Sequence, residues 1–230
     1  MLKQLFLLPI LAAAGLILTA QVVNGMPRPD NHPSSPCKRY ILFTARDQSE
    51  PQGPSSAFEG MIKKTLATIP DGDEVDIVYP ADPSVNGAHQ GLIWLEAYLD
   101  NALKSCPHLE FALLGYGQGA ILTSLAGARY FTSGGGLKAV VMAGNLMHTP
   151  NRKGNVDENG GSTTAGAKGP SMTDNPPPLN NFADSILDIC FTGDPYCDFS
   201  ASDLTAHSLY GQTDSVQSLG ATFLTGKLSH

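Results

Sequence analysis

Residues 109–130, "LEFALLGYGQGAILTSLAGARY", run an apolar segment through three alternating glycines directly into a helical pattern. A continuous apolar run of strand length reads as a strand buried on both faces. A strand that enters a helix within a few residues cannot close a hairpin, so its neighbour must be reached by a crossover and lie parallel. The same alternation fills the rest of the chain. "RYILFTA" (39–45) reads as a strand, and 55–68 as a helix with Phe58, Met61, Ile62 and Leu66 on one face. "DEVDIVYP" (73–80) is a second strand, followed by the strongest helix, 87–106, with Leu92, Leu95, Leu99 and Leu103 at helical spacing. "LKAVVMAG" (137–144) and "SILDICFTG" (185–193) are the last strands. The pattern specifies an α/β domain, a parallel sheet covered by helices on both faces. The 145–184 stretch is rich in Gly, Pro and Asn and has no periodicity. It is expected to be a surface loop with a role of its own, or a disordered insertion.

The first 25 residues do not fit that domain. Lys3 precedes an apolar run from Leu5 to Ala20, too short for a comfortable membrane span and right for a signal peptide. Cleavage is expected near Ala20 or Gly25; a proline-rich segment, 26–36, follows, and 37–230 forms the domain. About 205 residues then remain, enough for one domain with a full core. The formal charge of −7 and the absence of a basic cluster argue against nucleic acid and anionic membranes as partners. Four cysteines fit an oxidising compartment and allow three pairings, among which sequence alone does not choose. The tight Gly-Asp-Pro turn between Cys190 and Cys197 makes a local bridge natural, which leaves Cys37 with Cys106. The spacing is not that of a zinc site, and neither a metal nor a cofactor is expected. His89, His108 and His148 stand in no motif and read as surface or loop residues; a metal site built from His148 and the neighbouring Asp-bearing loop is set aside.

In an open parallel sheet, ligands bind beyond the carboxyl ends of the strands. The segments there are "TARDQSE", "YPADPSVN", "GYGQG", "AGNLMH" and "TGDPYC". A strand-turn-helix at G-x-S-x-G is how α/β-hydrolases expose a nucleophilic serine, with the acid and then the histidine following in chain order. Asp194 and His207 supply that order, but the nucleophile position is Gly117.

These residues resemble the cutinases and the related acetylxylan esterases, secreted ester hydrolases. The likeness rests on "GYGQGA" against G-Y-S-Q-G, on "GDPYC" ahead of "AHSLYG", on "TARDQSE" against A-R-G-[ST]-x-E, on "VYPA" and on the cysteine placement. It spans roughly 37–225, and Asp194 and His207 keep the family's interval. The resemblance implies a compact three-layer α/β-hydrolase fold with about five parallel strands, and bridges Cys37–Cys106 and Cys190–Cys197. It implies that Asp194 orients His207, that His207 is the general base, and that the Gln118 backbone N–H and a donor at Gln48 face the oxyanion.

Three departures set the functional expectation. Gly117 has no side chain, Asp47-Gln48 replaces Gly followed by a hydroxyl residue, and the 145–184 loop is long. No nearby hydroxyl substitutes: Tyr116 is expected to point away from the turn, and Ser124 lies two turns into the helix. The expected protein is therefore a secreted, monomeric pseudoenzyme without transmembrane segment. Its partner would be an ester-containing polymer or lipid-like ligand, or an extracellular host protein for which it acts as effector or decoy. The competing readings are an active cutinase or acetylxylan esterase, through an unrecognised nucleophile or with Gly117 as a variant, and a structural cell-wall protein. A serine restored at position 117 is expected to give weak ester hydrolysis that rises when Gln48 becomes Ser or Thr.

Overall fold

The structure, a computed structural model, describes residues 37–48, 50–82, 85–174 and 176–229. The expected signal peptide and proline-rich segment lie outside the described residues. Among the described residues six strands form one sheet: β1 (Tyr40–Ala45), β2 (Gly72–Asp76), β3 (Glu110–Tyr116), β4 (Leu137–Ala143), β5 (Asn155–Val156) and β6 (Ile186–Ile189). Their spatial order is β2-β1-β3-β4-β6-β5, and every pairing is parallel. The expected five strands are joined by a sixth, the two-residue β5, which the 145–184 stretch contributes at the sheet edge.

Four α-helices cover the sheet: α1 (Glu59–Thr68), α2 (Val85–Ser105), α3 (Gln118–Ser133) and α4 (Asp214–Leu228). Strand residues alternate between two cores. Ile41, Phe43, Phe111 and Leu113 face α2 and α3, together with Leu95, Leu99 and Leu122. Tyr40, Leu42, Ala112 and Leu114 face α1 and α4, together with Met61, Val216 and Leu224. The helix α4 was not expected from the sequence. Its glycines and scattered polar residues dilute the stripe of Val216, Leu224 and Leu228, yet Gly220 is what lets α4 close on Met61 of α1.

The long 145–184 stretch is built into the fold rather than being a disordered insertion. The Thr164 hydroxyl donates to the Cys190 carbonyl at 2.8 Å, and Phe199 N–H to the Lys168 carbonyl at 2.8 Å. Asp157 closes its central turn by accepting from the N–H groups of Asn159, Gly161 and Thr163. Asn145, His148 and Arg152 converge on Asp188 of β6, which is fully buried. His148 is thus no surface residue: it is 0% exposed, with Nδ1 3.1 Å from Asp188. Burial opposes its protonation, but the Asp188 charge prevails and raises its pKa; burial likewise opposes ionisation of Asp188, whose pKa is held low by His148, Arg152 and Asn145. Bridges join Cys37 to Cys106, at the start of β1 and the end of α2, and Cys190 to Cys197 beyond β6. Among the described residues no helix is long and apolar enough to cross a membrane.

Candidate active site

Each candidate residue lies where a parallel sheet presents chemistry, beyond the carboxyl ends of the strands. Between β3 and α3 the backbone turns at Gly117, with φ 53° and ψ −113°. A side chain there is strained by the left-handed φ. The turn is pinned on both sides, since Gly117 N–H donates to the Ala143 carbonyl of β4 at 3.0 Å and Ala120 N–H to the Gly117 carbonyl at 3.1 Å.

The space beside Gly117 is filled by Asp47. A Cβ placed on Gly117 would collide with the Asp47 carboxylate. Asp47 Oδ1 accepts the Gln118 backbone N–H at 2.7 Å, and the Gln48 backbone N–H also bonds to this carboxylate. Both expected oxyanion donors therefore act on a carboxylate of the protein itself. The Gln48 side chain is exposed and takes no part, so the residue that matters in this segment is its neighbour. A loop clamp sets Asp47 in place. Glu50 Oε2 accepts from Asp47 N–H and the Ser55 hydroxyl, both at 2.9 Å, while Arg46 donates to the Glu50 and Tyr79 carbonyls at 3.0 and 2.8 Å. Arg46 and Glu50 of the same segment thus hold the loop that carries Asp47.

On the other side, Asp194 Oδ2 lies 2.9 Å from His207 Nδ1. The Tyr210 hydroxyl donates to the same oxygen at 2.7 Å, and Tyr196 N–H donates to Oδ1 at 2.8 Å. The His207 ring is held between two aromatic rings, Tyr116 at 4.7 Å and Tyr196 at 4.0 Å between centroids. Tyr116 does not point away from the site: its hydroxyl donates to the His207 carbonyl at 2.6 Å. Ser124 is buried with its hydroxyl on Met142 Sδ, out of play. His207 Nε2, which would face a serine hydroxyl, instead faces Asp47 Oδ2 at 3.7 Å. That is ion-pair reach and too long for a hydrogen bond.

Two carboxylates now flank one imidazole. Burial pushes the His207 pKa down, but Asp194 and Asp47 outweigh it and raise the pKa to about 9. Burial pushes Asp47 up, and it is nonetheless held below the usual carboxylate range by His207 and by the N–H groups of Gln118 and Gln48. This row of carboxyl, imidazole and carboxyl favours the protonated form of His207. The turn thus offers no hydroxyl at position 117, the protonated form of His207 is favoured, and the Gln118 and Gln48 N–H groups meet the Asp47 carboxylate.

The charge row makes stability pH-dependent in a defined direction. The folded pKa of His207 lies above its ordinary 6.5, so its contribution, about 3 kcal/mol, is fully present below pH 6.5 and lost as pH rises through about 9. His148, also raised, acts in the same direction. Melting temperature is expected to fall between pH 7 and 10, and to fall distinctly less in a His207→Gln variant. Equal slopes in the two proteins would show that His207 is not the group responsible.

The family model described as Cutinase matches residues 36–228. A cutinase-like protein from Cryptococcus sp. is 30% identical, with a TM-score of 0.75 over 85% of this chain and 97% of that one. The catalytic core domain of acetyl xylan esterase from Trichoderma reesei is 22% identical, with a TM-score of 0.63 over 84% of this chain and all of that one, a likeness of fold alone. A search of curated proteins finds no match. With that family model matching nearly the whole described chain and a cutinase-like protein 30% identical over 85% of it, this chain belongs to the cutinase family.

Proposed function

We propose that this protein is a secreted member of the family that has lost serine ester hydrolysis and binds an ester-bearing polymer or lipid-like ligand without turning it over. The observation that carries this reading is the Asp47 carboxylate on the Gln118 N–H, beside a residue 117 that has no side chain. Two disulfides and the leader-like first 25 residues support export. An apolar ligand is supported by Phe199 and Leu204, which are 75% and 69% exposed on the loop between Asp194 and His207.

The expected result is no turnover of short p-nitrophenyl esters above the buffer rate and no labelling by an alkylphosphonate probe, which requires an activated hydroxyl. Retention on an acylated polymer, released by competing ester, is expected in the same preparation. Saturable ester hydrolysis by the purified protein would refute the reading.

A further inference from the structure

We infer that the site has kept a reaction of another class: opening of an epoxide by the Asp47 carboxylate, with His207 as proton donor and the Gln118 N–H holding the hydrolytic intermediate. This goes beyond ester binding and stands or falls separately from it.

The argument starts from what the Gln118 N–H faces. In acyl transfer it must meet an oxygen of the substrate. Here it is 2.7 Å from Asp47 Oδ1, so the carbon it can activate is the Asp47 Cγ. That arrangement is of no use for attacking an ester carbonyl. It suits hydrolysis of an ester formed on Asp47, and such an ester arises when the carboxylate attacks a saturated carbon. The other oxygen, Oδ2, stands 3.7 Å from His207 Nε2, and Nε2 is buried with no hydrogen-bond partner. A carbon–oxygen bond lying alongside this gap would set its carbon against Oδ2 and its oxygen against the Nε2 proton. An epoxide offers both atoms in one strained ring. An alkyl halide leaves no oxygen for that proton, which favours the epoxide.

Oδ2 bonds to a ring carbon, the ring carbon–oxygen bond breaks, and the freed oxygen takes the proton from His207 Nε2. The products are a hydroxyalkyl ester of Asp47 and a neutral imidazole. Water then attacks Cγ as His207 takes its proton, and the oxyanion on Oδ1 is held by the Gln118 N–H. Collapse breaks the bond between Cγ and the alkyl oxygen, and the new hydroxyl proton on Cγ passes to the departing oxygen. Epoxide plus water gives a vicinal diol, with Asp47 again ionised and His207 again protonated.

The electrostatics suit both halves. Asp47 is held ionised and His207 protonated at the outset. Esterification neutralises one of the two carboxylates that hold the imidazole's proton, so its pKa falls when a base is needed. Tyr116 and Tyr196 keep the ring in plane throughout.

Styrene oxide is the probe. Purified protein is expected to form the diol at least about 100-fold faster than an Asp47→Asn variant of matching circular dichroism, the scale of losing one catalytic group. In a single turnover in ¹⁸O-water, the label is expected in the peptide bearing Asp47 and not in the first diol released. Diol formation no faster than with Asp47→Asn, or label passing directly into the diol, would overturn the proposal. Turnover of p-nitrophenyl esters would count against the ester reading without touching this one.

Discussion

Replacing Gly117→Ser together with Asp47→Gly is expected to restore ester hydrolysis, about 100-fold or more above Gly117→Ser alone. The two positions are sterically one unit. A side chain on residue 117 and the Asp47 carboxylate compete for the same space, so the chain holds a glycine at one and an aspartate at the other. Gly117→Ser alone places a strained side chain against a hydrogen-bonded carboxylate and is expected to be destabilised and silent. Removing Asp47 does three things at once. It makes room for the hydroxyl, frees the Gln118 and Gln48 N–H groups for a substrate oxygen, and takes away one of the carboxylates that hold His207 protonated. The acid side needs no repair, because Asp194 is already fixed by Tyr210, Tyr196 and His207. Turnover of a short p-nitrophenyl ester checks this, and His207→Ala in the double variant should abolish it. A folded double variant no faster than the single one would mean that Asp47 is not what blocks the site. The target is thus Asp47, and not Gln48, whose side chain is exposed.

Asp188→Ala is expected to cost about 3 to 5 kcal/mol of stability, the range for breaking a buried ion pair. Asp188 is fully buried and carries His148, Arg152 and Asn145 on its two oxygens. Its removal strands the Arg152 guanidinium, itself 8% exposed, with no counter-charge. It also unfastens the 145–184 stretch from the sheet, because those three partners all lie at its start. Urea unfolding at pH 7 measures the change as a shift in midpoint at constant slope. The exposed pair Lys153–Asp184 serves as the control: Asp184→Ala should leave the midpoint where it was. A shift no larger than the control's would show that the stretch is held by something other than this network.

The fold was largely legible because its signals are local. Continuous apolar runs set the strands, the helical stripes of α1 and α2 set the covering layers, and the elbow glycines forced the parallel connection. The family followed from residues close in sequence, "GYGQGA" and the acid-to-histidine segment. Two elements were not legible. Helix α4 has a weak stripe and gains its stability from packing on α1, a contact between residues some 150 positions apart such as Gln217 Oε1 on Met61 N–H at 2.7 Å. The 145–184 stretch has no period because it is ordered by single contacts to β6 and to Cys190 just beyond it rather than by a repeating face.

At the site the sequence alone determined that position 117 offers no hydroxyl, since a glycine has none in any fold. It also determined that an acid and a histidine follow in hydrolase order. Only the tertiary structure decided that Asp47, about seventy positions before Gly117, fills the space beside that glycine and takes the Gln118 N–H. The reason is physical: a lost side chain is a local fact of the chain, whereas what occupies its volume, and what charge that brings beside His207, depends on which loop the sheet brings alongside.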